Sequence, residues 1–197
     1  MIFNEVSYTQ SVFRKLLDCM SRPGSIEAIE PAPFKETVKL SNFSLGIALT
    51  LLDQETSFCV LNNTERTEEF IKVCTMAAIY DPEQCDYLFF DGKFYFNPGV
   101  LKKGTLAYCD ESATVICQVK RLAGQEIKQP KAIRLSLTGP GIKDQKTLYI
   151  DGLHQDIPAD WKKCNRDYPL GIDWIFHDKE GNICCIPRSS KFNWEVL

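Results

Sequence analysis

The sequence predicts an α/β protein built as three layers, α/β/α, around a mixed sheet. Helical apolar spacing alternates along the chain with short continuous apolar runs. Two such runs, Ile172–Phe176 and Ile183–Ile186, flank Asp178-Lys179-Glu180-Gly181-Asn182. That loop has hairpin length and chemistry, so part of the sheet is antiparallel. No repeat, low-complexity tract or Gly/Ser-rich linker divides the 197 residues. One domain spanning 1–197 is expected, long enough to bury a sizeable core.

The elements follow in order. Phe13, Leu16, Leu17 and Met20 fall on one helical face, with Ser11 as the cap and Pro23-Gly24 as the stop. A second helix from about Ser41 to Leu52 carries Phe43, Ile47 and Leu51, and Leu45, Ala48, Leu49 and Leu52 widen its apolar face until it is deeply buried. Asp53-Gln54-Glu55-Thr56 turns into a strand at Phe58–Leu61. Asn62 or Thr64 caps a third helix that turns Phe70, Val73, Cys74, Ala77 and Tyr80 inward and stops at Asp81-Pro82. The apolar run Tyr87–Phe90 is a buried strand. Strands are expected at Ala113–Val119 and Ala132–Leu137, with a weaker one at Thr147–Ile150, and Trp161 and Cys164 mark a short helix or turn.

Composition removes several function classes. Hydrophobic residues at 44% and charged residues at 25% are ordinary for a globular chain, and a net charge of −3 provides no pull toward nucleic acid or anionic membrane. No run approaches the roughly 20 apolar residues of a membrane span. Residues 1–20 lack a basic segment before an apolar core, so no signal peptide is read and the chain is expected in the cytoplasm. The 9 cysteines contain no C-x-x-C pair and no triplet with iron–sulfur spacing. They are expected as reduced thiols, several acting as small hydrophobes, such as Cys59 and Cys117.

Catalytic motifs are missing. Thr138-Gly139-Pro140-Gly141 follows a strand, where a glycine loop could present N–H groups to a phosphate. Asp144 replaces the third glycine of a dinucleotide fingerprint, and no Gly-Lys-Ser/Thr completes a P-loop. The loop is a tight turn or an anion or partner contact. The 2 histidines, His154 and His177, form no metal cluster, and no G-x-S-x-G elbow anchors a hydrolase triad. Asp173, inside the apolar Gly171-Ile172-Asp173-Trp174, must be paired if buried, to a backbone group, an arginine or a ligand. Arg22 and Arg188 each adjoin a proline, which fixes the direction of the guanidinium; such an arginine suits phosphate, carboxylate or an intersubunit salt bridge.

A family resemblance is carried by Ser11–Leu17 with Met20-Ser21-Arg22-Pro23-Gly24, Ala48–Asp53 with Thr56, Gly104-Thr105 with Ala113–Val119, Leu137–Ile142, Tyr168–Asp173, and Ile186-Pro187-Arg188-Ser189. In this order the blocks resemble the PhnH family of the bacterial carbon–phosphorus lyase system. Cys109-Asp110-Glu111-Ser112 departs from the family pattern, which usually has proline and glycine there. The resemblance implies a fold similar to the large domain of pyridoxal-phosphate-dependent transferases, but without that cofactor or any other. It also implies a homodimer that joins the PhnG, PhnI and PhnJ subunits. That complex forms α-D-ribose 1-phosphonate 5-triphosphate from ATP and a phosphonate. No acid–base or nucleophile constellation stands out, which suits a subunit that is not catalytic alone. The residues expected to bind ligand or partner are Arg22, Asp53, Thr105, Thr138, Gly139, Gly141, Asp173 and Arg188.

Overall fold

The structure is a computed structural model that describes residues 3–34, 38–62 and 65–197. The helices are α1 (Glu5–Ser21), α2 (Asn42–Leu51), α3 (Glu65–Thr75) and α4 (Ile157–Cys164). Strands β1 (Glu27–Ala28), β2 (Ser57–Val60), β3 (Ala78–Ile79), β4 (Tyr87–Asp91) and β5 (Thr114–Gln118) precede β6 (Arg121–Ala123), β7 (Ile133–Thr138) and β8 (Lys146–Asp151). The chain closes with β9 (Asp173–His177), β10 (Asn182–Ile186) and β11 (Lys191–Val196).

A seven-stranded sheet runs β1-β10-β9-β5-β4-β2-β3. Strands β2, β3, β4, β5 and β9 are parallel, and β10 returns antiparallel through the expected hairpin. Side chains alternate across it. On one face Phe58, Phe89, Ile116, Ile175 and Ile183 meet α1, α2 and α3 through Leu16, Ile47 and Ile71. On the other, Leu88, Val115, Trp174 and Cys184 meet Leu135, Leu137 and Leu148 of a second, antiparallel sheet ordered β11-β7-β8-β6. Helix α4 shares this layer, placing Trp161 4.8 Å from Trp174 and 4.2 Å from Phe192, ring to ring. Each such buried side chain contributes roughly 1.5–3 kcal/mol. The expected mixed sheet with helices is therefore present. The expected second helical layer is corrected: a four-stranded sheet shares that face with α4, and β11 builds it through an apolar alternation at Phe192 and Trp194.

Two helices differ from expectation. Helix α1 begins well before Ser11 because the Asn4 side chain accepts from Ser7 N at 3.0 Å. Its buried residues are Val12, Leu16 and Cys19, while Phe13 and Leu17 face solvent. Helix α3 ends at Thr75, before Asp81-Pro82, since Met76 takes a left-handed φ of 65°. Thr67 and Ile71 are its buried residues, whereas Val73 is 76% exposed, Cys74 is exposed, and Tyr80 lies past the helix in solvent. Asn62 occupies a left-handed turn, and Thr64 lies outside the described residues. Helix α2 matches, with Ser41 Oγ accepting from Ser44 N at 3.1 Å.

Each of the nine cysteines is free, and burial holds the Cys59 thiol at about 11 and the Cys85 thiol at about 12. No described helix is long and apolar enough to cross a membrane.

Candidate functional site

Five of the six sequence blocks meet one another in space, and the Ala48–Asp53 block does not. Strands β5 and β9 are parallel and begin side by side, Thr114 opposite Asp173. The loops that precede them therefore meet. Gly171 N–H donates to Lys103 O at 3.1 Å, which joins the Tyr168–Asp173 block to the loop carrying Thr105. Thr105 itself closes a turn, its Oγ1 accepting from Tyr108 N at 3.0 Å, and it is exposed.

At this junction Asp173 and Arg188 find each other. Arg188 N–H donates to Asp173 Oδ1 at 2.7 Å, and Nε–H donates to both carboxylate oxygens at 3.2 Å. A further guanidinium N–H reaches Cys109 O, so the segment that departs from the family pattern still supplies an acceptor. Both side chains are nearly buried, 16% and 17% exposed, and every oxygen of the carboxylate is used. Of the pairings the sequence left open for Asp173, the geometry shows the arginine. The ion pair locks the turn after β10 onto the start of β9.

The same turn reaches the glycine loop. Gly139, at φ 131°, lies against Ser189: a Cβ there would sit 3.1 Å from Ser189 O. Gly141, at φ 79°, lies against the end of α1, where a Cβ would come within 2.2 Å of Ser21 O. Only glycine fits such a backbone-to-backbone approach in a left-handed conformation. The loop returns into β8, with Ile142 N–H donating to Gly139 O at 3.1 Å. Next to it Arg22 caps the C-terminus of α1, its guanidinium exposed and 3.3 Å from Asp18 Oδ2 and 3.7 Å from Glu27 Oε1. Thr138 ends β7, exposed, at the rim of a cavity it shares with Ser190 and Lys191.

Asp53 stands apart. Its carboxylate accepts from Glu55 N at 2.9 Å in the turn before β2, and β2 is three strand positions from β9. The Thr105, Asp173 and Arg188 group also lies at the N-terminal ends of the parallel strands. Open α/β sheets usually bind ligands at the opposite, C-terminal ends.

Sequence reasoning missed a second ion pair at this edge. Asp86 accepts from Ser57 N at 2.7 Å and from Ser57 Oγ at 2.5 Å, and Lys102 donates to its other oxygen. Burial pushes this carboxyl up, but the hydrogen bonds from Lys102 and Ser57 outweigh it and hold it below its ordinary value. Lys102 stands in no apolar pattern, so nothing local marked it. His177 is fully buried, and its Nε2 lies 2.6 Å from Ser44 Oγ. Burial lowers its pKa to about 4, so it is neutral at pH 7 and sits under the helical layer. Asp178 beside it accepts from Glu180 N, Asn182 N and Leu122 N, shaping the hairpin.

Comparison with known proteins bears on the whole chain. Residues 2–193 match the family model described as bacterial phosphonate metabolism protein (PhnH). A Rhizobium meliloti (strain 1021) protein, named α-D-ribose 1-methylphosphonate 5-triphosphate synthase subunit PhnH, is 33% identical over 196 residues, covering 94% of this chain and 90% of its own. HtxG of Stutzerimonas stutzeri, provisionally named a C-P lyase subunit protein, is 24% identical over 187 residues, covering 93% and 85%. With five of the six sequence blocks joined in space and the match running nearly end to end, the chain belongs to the PhnH family of bacterial phosphonate metabolism proteins.

Proposed function

We propose that this chain is a subunit, not catalytic by itself, of the carbon–phosphorus lyase core complex of organophosphonate catabolism. It supports the formation of α-D-ribose 1-phosphonate 5-triphosphate from ATP and a phosphonate. Its relatives are named as subunits of such assemblies. The structural observation that carries the reading is an uncovered apolar stripe on α1. Val6, Phe13 and Leu17 recur at near-heptad spacing and are 79%, 45% and 53% exposed, on a helix whose other face is core. Water-facing apolar side chains in register are what a docking face requires. Leu106, Tyr108 and Tyr168, exposed on the loops near Thr105, extend the argument to the motif junction.

In this reading the chain is one domain over 1–197 and acts in the cytoplasm as a homodimer with PhnG, PhnI and PhnJ. Arg22, Asp53, Thr105 and Thr138 offer exposed polar groups to partner or ligand. Asp173, Arg188, Gly139 and Gly141 shape the surface that presents them. A seven-stranded sheet with one antiparallel strand inside it supports kinship with the large domain of pyridoxal-phosphate-dependent transferases. The reading assigns no cofactor.

Co-expression with the other subunits, followed by size-exclusion chromatography, tests the proposal. Co-elution is expected, and Leu17→Glu with Phe13→Glu abolishes it while circular dichroism stays unchanged. Separate elution of the unaltered chain overturns the reading. A stand-alone binding module is favoured by one observation, a cationic cavity.

A further inference from the structure

The second sheet ends in a strand that is paired on one side only. In the order β11-β7-β8-β6, β11 has β7 as its single neighbour. Leu197 N–H donates to Ala132 O at 2.9 Å, so it faces the β7 side. Successive residues of an antiparallel strand direct their backbone groups to alternate sides. The N–H and C=O groups of Phe192, Trp194 and Val196 therefore point away from β7. Among the described residues none of these groups has a hydrogen-bond partner. Phe192 is 5% exposed, but Trp194 is half-buried and Val196 is 44% exposed, so the second half of the edge is open.

Free edges are commonly blunted by proline or a bulge. Strand β11 contains no proline, and its register with β7 runs residue for residue from Lys191 to Val196. Its carboxylate, on Glu195, is already held by Arg134 at 2.9 Å.

An independent observation concerns charge. A cavity of about 610 Å³ lies between the first half of β11, the end of β7 and the C-terminal end of α4. Lys162, Lys163, Arg166 and Lys191 line it, and no carboxylate does. Lys163 pairs with Asp160 at 2.8 Å, and Lys162 donates to Asn193 Oδ1 at 2.9 Å. Arg166 and Lys191 lie outside α4, and among the described residues neither side chain has a hydrogen bond or an ion pair. In a chain of net charge −3 this is a local excess of positive charge. It begins where the open edge does, since Lys162 Nζ also lies 5.6 Å from the Trp194 ring centroid.

We infer that β11 takes an extended, acidic segment of a protein partner as an added strand. The main chain of that segment pairs with Trp194 and Val196, and its carboxylates reach Arg166 and Lys191. In strand addition the main-chain bonds give affinity and the side chains give specificity. A second copy of β11 would bring one lysine and one glutamate, which leaves the cavity's cations unopposed. The surface is separate from the exposed stripe of α1, which packs on the other face of the seven-stranded sheet. The inference does not rest on which assembly the chain joins: peptide binding to the isolated chain tests it, whereas co-elution tests the assembly.

The experiment is fluorescence anisotropy of the full chain with a labelled peptide of five Thr-Glu repeats. The peptide binds, and its affinity falls as salt rises. Thr-Gln repeats of the same length bind at least about ten-fold more weakly. The Thr-Glu peptide N-methylated throughout keeps its charge but loses its main-chain donors, and also binds at least about ten-fold more weakly. Arg166→Gln with Lys191→Gln weakens the unmethylated peptide at least about ten-fold, while Lys72→Gln with Lys179→Gln, on α3 and in the hairpin, changes nothing. Val196→Pro removes a donor that faces away from β7, so it weakens binding with the thermal midpoint retained. Should that variant unfold, the methylated peptide reads the same point on the unaltered chain. Equal binding of methylated and unmethylated peptides overturns the inference, because the contact would then be electrostatic alone. No binding of the Thr-Glu peptide at millimolar concentration overturns it, as does equal weakening by the two pairs of substitutions. So does a chain that sediments as a dimer which Val196→Pro dissociates, since a second copy would then hold the edge.

Discussion

Arg188 holds Asp173 from two directions: its backbone N–H meets Oδ1 at 2.7 Å, and its guanidinium Nε–H meets both oxygens at 3.2 Å. A near-buried pair with its hydrogen bonds made is costly to break by halves, since the survivor keeps its charge without a partner. Arg188→Ala or Asp173→Asn lowers unfolding stability by about 3 kcal/mol, read from urea denaturation. The double variant loses much less than the sum of the singles; simple additivity would refute the coupling.

Gly141 is tested against a glycine that has room. Gly141→Ala places a Cβ within 2.2 Å of Ser21 O at a left-handed φ, and Gly124→Ala meets nothing within 4 Å. The first destabilises by about 2 kcal/mol and shifts signals of the α1 C-terminus, while the second stays within about 0.5 kcal/mol. Equal thermal midpoints would show that the contact between the glycine loop and α1 is not made.

His177 dictates a pH dependence with a definite sign. Its folded pKa is about 4, below the ordinary 6.5, so between these values the unfolded chain binds a proton that the folded chain refuses. Stability is fully present above pH 6.5 and falls as pH drops toward 4, by about 3 kcal/mol from this group. In His177→Gln, unfolding measured across that range loses this part of the slope. An unchanged slope would place the acid sensitivity elsewhere.

Thiol chemistry follows burial. Cys74 is exposed and Cys109 half-buried, and the other seven are buried. A disulfide reagent at pH 8 titrates two thiols rapidly in the native chain and nine in guanidinium. More than two rapid equivalents would mean that the core opens.

Helix α2 was legible because its cap, Ser41, and its apolar surface agree. Helix α1 was legible as a helix but not in orientation. Val12, Leu16 and Cys19 have the same spacing as Phe13, Leu17 and Met20, so periodicity alone leaves open which of the two stripes meets the sheet. Helix α3 was read too long because Met76 carries no sequence mark of its left-handed turn. Strand β11 did carry a signal, apolar residues at 192, 194 and 196, hidden among charged neighbours. At the candidate site the blocks were visible as glycine, proline and arginine. Their mutual contact was not, because the partners are far apart in sequence. Lys162, Lys163, Arg166 and Lys191, which line one cavity, come from α4, the turn after it and β11, and share no motif at all.

The pairing of β11 with β7 runs from Lys191 opposite Thr138 to Val196 opposite Ile133. It has a consequence for the order in which the molecule is made. Helices α1 to α3 and strands β2 to β5 can associate early in synthesis, but β7 waits until β8, α4, β9 and β10 have been translated and β11 follows them before its second side is hydrogen-bonded. Until then it is a bare edge presenting Ile133, Leu135 and Leu137, and the half-made chain is most vulnerable to pairing with a neighbour's strand.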